Sequence, residues 1–207
     1  MNKNIYIVIL IVIIMSALAV DVYFVFYSAK NVAVEEVAQN VGAVGATSPK
    51  DATYIIEGQS VTLIDGVSST PVAPGSATKI ITRYFGNEVK HDLNDDGRED
   101  VVFLLTQETG GSGTFYYVVA ALNTPTGYIG SQAFFLGDRI APQTTVMDEG
   151  LTTNGTKRQN VIVVNYADRK PTDSFTTPPS IGKSVWLKLD PATMQFGTVE
   201  QNFSDSK

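Results

Sequence analysis

The chain has 207 residues, 43% hydrophobic and 17% charged, with 15 Lys and Arg against 21 Asp and Glu, one His and no Cys. That length suits one globular domain with some chain to spare. The formal charge of −6 argues against a nucleic-acid partner, which requires a basic face, and the lack of Cys excludes disulfides, zinc–thiolate sites, thiol catalysis and a lipid-modified N-terminal Cys.

Ile5 to Tyr27 carries one charge, Asp21, over 23 positions. As a helix rising about 1.5 Å per residue it is roughly 34 Å long, enough to span a bilayer with modest tilt. Ala17-Leu18-Ala19 also fits the small-x-small rule of a signal-peptide cleavage site, but the apolar run resumes at Val22 to Tyr27, where a mature secreted chain would turn polar. The sequence therefore predicts one N-terminal transmembrane helix within residues 1–30, with Tyr23, Phe24, Phe26 and Tyr27 at the far interface. Lys3 and Lys30 balance one another, so the four-residue tail sets the orientation: it stays in the cytoplasm and the remainder lies outside. Dropping two of the 15 basic residues (Lys3, Lys30) and one of the 21 acidic ones (Asp21) leaves residues 31–207 with 13 against 20, a net −7.

Val34, Val37, Ala38, Val41 and Val44 recur at helical spacing, predicting that the membrane helix continues as a stalk and passes into a linker over 42–50. From residue 51 the pattern is short and β-like, with Val, Ile, Thr, Tyr and Phe punctuated by Gly, Asn, Asp and Pro. Strands are expected at 53–57, 60–64, 79–85, 101–106, 114–122, 128–136, 144–147, 160–166 and 184–189. Val101–Leu105, Tyr117–Leu122 and Val161–Val164 are continuous apolar runs, as strands covered on both faces would be. Val185, Leu187 and Leu189 alternate with Trp186 and Lys188, as in a half-exposed strand. The fold class expected is all-β or β-rich (α+β at most), an antiparallel sandwich or curled sheet over residues 51–207.

The most specific motif is Asp92-Leu93-Asn94-Asp95-Asp96-Gly97-Arg98-Glu99-Asp100. Oxygen side chains at positions 1, 3 and 5, Gly at 6 and a backbone carbonyl at 7 are how EF-hand-type loops wrap Ca²⁺. The expected metal ligands are Asp92, Asn94, Asp96, the carbonyl of Arg98 and, as the fourth side chain, Asp100. Position 12, a bidentate Glu in an EF-hand, is Phe103. The bland alternative is an Asx-rich turn held by its own side chains. Four oxygen side chains at 1, 3, 5 and 9 repel one another without a cation, which favours calcium.

This short loop resembles the calcium loops of integrin-type FG-GAP and VCBS repeats, with Asp95 standing where such loops often have Gly. Taken with Ala73-Pro74-Gly75-Ser76-Ala77-Thr78, Gly110-Gly111-Ser112-Gly113-Thr114-Phe115 and Leu136-Gly137-Asp138-Arg139, it resembles a family of uncharacterised bacterial extracytoplasmic β-proteins sharing APGSAT, DLNGDGxxD, GGSGTF and LGDR motifs over about residues 53–190. The resemblance implies an exported, mostly β domain without an assigned activity. This chain departs in having no Cys and a longer apolar N-terminus.

Other chemistry-bearing residues have structural explanations. Gly110–Gly113 lies between two expected strands with no helix to follow, so a hairpin is expected rather than a phosphate cradle. His91 is read as an exposed strand end, Asp138-Arg139 as a turn, and most of Tyr116, Tyr117, Tyr128, Phe134 and Phe135 as core rather than a sugar platform. Adjacent Lys183 and Ser184 fall on opposite faces of a strand, which disfavours a dyad. Asn154-Gly155-Thr156 and Asn202-Phe203-Ser204 match the glycosylation sequon, a short and weak pattern. The reading is thus a membrane-anchored, extracytoplasmic calcium-binding domain with a structural or binding role, its partner an envelope protein or polysaccharide. The alternative is a carboxylate-dependent hydrolase of envelope polymers, needing Asp138, Glu149 or Asp168 together in a cleft.

Overall fold

The computed structural model describes residues 45–148, 150–151 and 155–200. The expected membrane segment, the part of the expected stalk and linker over 31–44, Glu149, Asn154 and the 202–204 sequon lie outside the described residues. Among the described residues no helix is long and apolar enough to cross a membrane.

After a short 3-10 turn at Pro49–Asp51 the chain is β throughout: β1 (Thr53–Ile56), β2 (Gln59–Thr62), β3 (Val67–Pro71), β4 (Lys79–His91), β5 (Asp100–Glu108), β6 (Phe115–Thr124), β7 (Gly127–Gly130), β8 (Phe134–Asp138), β9 (Ala141–Met147), β10 (Val161–Asp168), β11 (Ile181–Asp190) and β12 (Gln195–Thr198). One antiparallel sheet runs β3-β4-β5-β6-β7, with β8 also paired to β6. A second runs β12-β11-β10-β9, and β1-β2 form a separate hairpin.

Side-chain alternation along β5 and β6 sorts their apolar runs into two cores. Val102, Leu104, Val118, Ala120 and Leu122 pack against Ile162, Val164, Leu187 and Leu189 of the second sheet. Val101, Phe103, Leu105, Tyr117, Val119 and Ala121 pack with Tyr54, Ile56 and Leu63. The six-stranded sheet is thus the middle of three layers, and neither face of β5 or β6 needs a polar residue in the runs. In β10 the same continuity has a second cause. Ile162 and Val164 enter the core between the sheets, whereas Val163 is buried beside its cross-strand neighbours Val146 and Trp186.

β9 and β11 each begin three residues earlier than the sequence pattern suggests, and two larger departures have visible causes. β4 continues to His91 because Gly86 (φ 118°) and Asn87 (φ 52°) make an irregularity that lets pairing with β5 resume at Val89. The strand expected over 128–136 is broken at buried Ser131, whose hydroxyl accepts from Ala120 N (2.9 Å) and donates to Gln132 O (2.9 Å), replacing ladder bonds where the chain bends. β3 and β12 are edge strands outside the expected set: one is mostly Ser and Thr and ends in Pro71, and the other contains Gly197.

Residues 46–51 are tied to the fold. Ala46 exchanges two backbone hydrogen bonds with Tyr128 (3.0 and 2.8 Å), and the buried Tyr54 hydroxyl donates to Pro49 O at 2.6 Å. Gly127 holds φ at +120°, and a Cβ there would lie 2.3 Å from Gly45 O. Only glycine permits both the conformation and that approach.

Candidate metal centre

His91 and Asp100 are cross-strand partners closing the β4–β5 hairpin, so residues 92–99 form its loop. Leu93 anchors the loop from below by burial in the core between the sheets. Above it the backbone coils about the Asx side chains. Asp92 accepts from Asp96 N (3.1 Å) and Gly97 N (2.7 Å); Asn94 Oδ1 accepts from Asp96 N (3.2 Å); Asp96 Oδ1 accepts from Arg98 N (2.9 Å). Asp95 and Gly97 take positive φ, 59° and 83°. Asp tolerates the left-handed region better than most residues, which explains how a residue with a side chain can occupy position 95.

Asp100 is the fully buried member. One carboxylate oxygen accepts from Leu93 N (2.9 Å) and the other from Asn123 N (2.7 Å), so it fastens the loop to the end of β6. Burial pushes its carboxyl above the ordinary range; the two N–H groups oppose this, and the charges of Asp96 and Asp92 add to it. Asp96 is held below its ordinary value, first by the Arg98 N–H, then by the Asn94 amide and the Arg98 guanidinium at 2.7 Å, against some desolvation. Arg98 also donates Nε–H to Asn123 O at 2.7 Å.

Four of the five expected ligands lie in the 92–99 loop, and Asp100 is the first residue of β5. Among the described residues no three His, Cys, Asp or Glu side chains converge as a metal site; the carboxylates face N–H donors. The donor set nonetheless suits a hard cation. Each carboxylate oxygen of Asp92 and Asp100 accepts one N–H and keeps a lone pair, Asp96 Oδ2 accepts from both Asn94 Nδ2 and Arg98 Nη2, and Asn94 Oδ1 and the Arg98 carbonyl supply neutral oxygens. Residues that would hold the ion are Asp92, Asn94, Asp96, Asp100 and the Arg98 carbonyl.

Sequence spacing does not reveal Asn160, the residue immediately before β10 and itself at φ 57°. Its Nδ2 donates to Leu93 O (3.1 Å) and Asp95 Oδ1 (3.3 Å), and its Oδ1 lies 3.2 Å from His91 Nε2. It braces the loop from the second sheet.

The remaining candidates are mostly engaged in structure. His91 is exposed at the end of β4. Asp138 is ion-paired with Arg139 (2.5 Å), and the Arg139 hydrogen bonds hold its carboxyl below the ordinary range. Asp168 is paired with Lys183 (2.6 Å); burial opposes its ionisation, but Lys183 and the Arg169 N–H keep its pKa depressed. Ser184 Oγ donates to Asn165 Oδ1 (2.6 Å), away from Lys183. Tyr117 is buried, whereas Phe135 is 49% exposed and stacks against Phe115 and Tyr117. Residues 109–114 join β5 to β6 as a hairpin, with Gly110 at φ 86°. Compared with known proteins, the chain matches no family model, no curated protein and no solved structure.

Proposed function

We propose that the chain is a single-pass membrane protein, anchored by residues 1–30 through a stalk over 31–44. Its β-rich domain, from residue 45 onward, lies outside the cytoplasm, carries one structural Ca²⁺ and serves as a binding or structural module of the cell envelope rather than an enzyme. The observation that carries the calcium assignment is Asp100. It is a carboxylate with no solvent exposure, set near Asp92 and Asp96, whose charges raise its pKa, and no basic side chain hydrogen-bonds to it among the described residues. The two N–H groups on its oxygens offset part of the cost of burying this charge, and a bound cation would offset more. The likeness of the loop to FG-GAP and VCBS calcium loops supports the same reading. The apolar length of residues 5–27 supports the anchor.

Thermal melts of the detergent-solubilised full chain with calcium, magnesium and chelator test the metal. Free calcium a hundredfold above Kd stabilises by about 2.7 kcal/mol, or about 5–10 °C for a domain of this size. Magnesium substitutes poorly because it demands a tighter octahedron. Identical melts in all three conditions, with no metal in the purified protein, would mean a metal-free Asx turn. Alkaline extraction should leave the full-length chain in the membrane pellet, and a soluble form beginning at Val20 would overturn the anchor.

A further inference from the structure

We propose that the cleft beside the loop, between the end of β4, the end of β9 and residues 157–160, binds a saccharide unit bearing a carboxylate or phosphate. The cleft encloses about 470 Å³, within the range of small-ligand sites. Three of the chain's 15 Lys and Arg line it: Lys90, Lys157 and Arg158. Arg158 Nη1 donates to Asp148 at 2.6 Å, and the two side chains are only 13% and 14% exposed. The guanidinium carries five N–H donors in a planar fork. Its Nε and Nη2 make no hydrogen bond among the described residues, so a partly desolvated fork faces a cavity with donors to spare. That geometry suits bidentate capture of an anionic group.

Charge supports the same occupant. Lys90 pairs with Glu99 at 3.5 Å, but both side chains are more than half exposed, so the pair holds Lys90 weakly. Lys157 makes no ion pair among the described residues. With Asp95 and Asp148 as the acidic lining, the cleft carries a formal +1 on a chain of net −6. Apart from Met147 its lining is polar, including Gln159, Asn160 and His91, which suits sugar hydroxyls better than an apolar ligand. The inference rests on the binding-module reading only in placing such a ligand in the envelope, and it needs no calcium.

Calorimetric titration of the detergent-solubilised full chain with trigalacturonic acid, glucose 6-phosphate, maltotriose and inorganic phosphate tests it. Saturable binding of the uronate or the sugar phosphate is expected, and which of the two binds identifies the anion. Binding should weaken with salt, and maltotriose should not bind. Lys157→Gln, an exposed change that leaves the Arg158–Asp148 pair intact, should lower affinity about tenfold. Arg158→Lys, which keeps the charge but loses the fork, should lower it at least as much. Equal binding of maltotriose, inorganic phosphate binding as tightly as the sugar phosphate, or no saturable binding of either acidic saccharide would overturn the proposal. Titrations repeated in chelator separate the two readings: unchanged affinity without a calcium melting shift leaves the cleft standing and removes the calcium.

Discussion

Asp100 is the residue whose replacement separates a metal ligand from a structural acceptor. Its two oxygens accept from Leu93 N and Asn123 N, and the residue has no solvent exposure. Asp100→Ala strands both N–H groups, each loss worth about 1–3 kcal/mol, while removing a buried carboxylate that neighbouring charges disfavour. Asp100→Asn keeps one acceptor and the volume, so it should lie between. The expected order in chelator is wild type, then Asn, then Ala, with steps of about 1–2 kcal/mol, or about 2–8 °C in melting temperature. The pH dependence has a definite sign. A carboxyl whose folded pKa is raised binds its proton more tightly in the native state, so its contribution is fully present below the unfolded pKa and is lost as pH rises through the raised folded pKa. Asp100→Asn should abolish that component. Calcium inverts it, because the ion requires the ionised form. Calorimetric melts from pH 4 to 8, with calcium and with chelator, read all of this at once. If Asp100→Asn melts with wild type in chelator and retains the full calcium shift, Asp100 is neither fastening nor ligand.

Other expectations concern the frame around the loop. Asn160→Ala should reduce the calcium shift without abolishing it, measured in the same melts, because Asn160 braces Leu93 O and Asp95 but supplies no ligand. Gly130→Ala would put a Cβ 2.3 Å from Thr53 O and 2.7 Å from Tyr54 Cδ1; a loss of about 1–3 kcal/mol is expected from denaturant midpoints. Leu104→Ala and Phe103→Ala, adjacent but in opposite cores, should each destabilise strongly, by about 2–5 kcal/mol, whereas a strand with one solvent face would tolerate one of them. The depressed pKa of Asp168 means its stabilisation is present above the ordinary carboxylate range and lost as pH falls through the depressed value, so Asp168→Asn should flatten the acid limb of the stability profile.

Coverage on both faces was legible wherever burial left a signature in composition. Val101–Leu105 and Tyr117–Leu122 read as doubly covered because every position in them meets a core, and β5 and β6 are the middle strands of the middle layer. β3 gave no signal for the opposite reason. As an edge strand paired only to β4 it needs no apolar alternation, and Val67-Ser68-Ser69-Thr70-Pro71 is indistinguishable from a loop. The break at Ser131 was also hidden. A fully buried serine replacing backbone bonds looks, in sequence, like a polar position on a continuous strand.

The loop shows a similar division between local and distant causes. Its coiling was readable because it is local: Asx side chains bond backbone N–H groups two to five residues on, and Gly97 takes the left-handed turn. What holds the loop against the body is not local. Asp100 reaches Asn123 across the β5–β6 hairpin, Arg98 reaches the carbonyl of the same residue, and Asn160 comes from the other sheet, 67 residues from Leu93. No spacing rule joins Asn160 to Asp95, yet both occupy left-handed backbone and meet at 3.3 Å. Asn160 also lines the cleft with His91 and Asp95. One side chain therefore touches the wall of the proposed saccharide site and the backbone of the proposed calcium loop. A ligand that displaced its amide would act on the β4–β5 turn directly, without a longer route through the sheets.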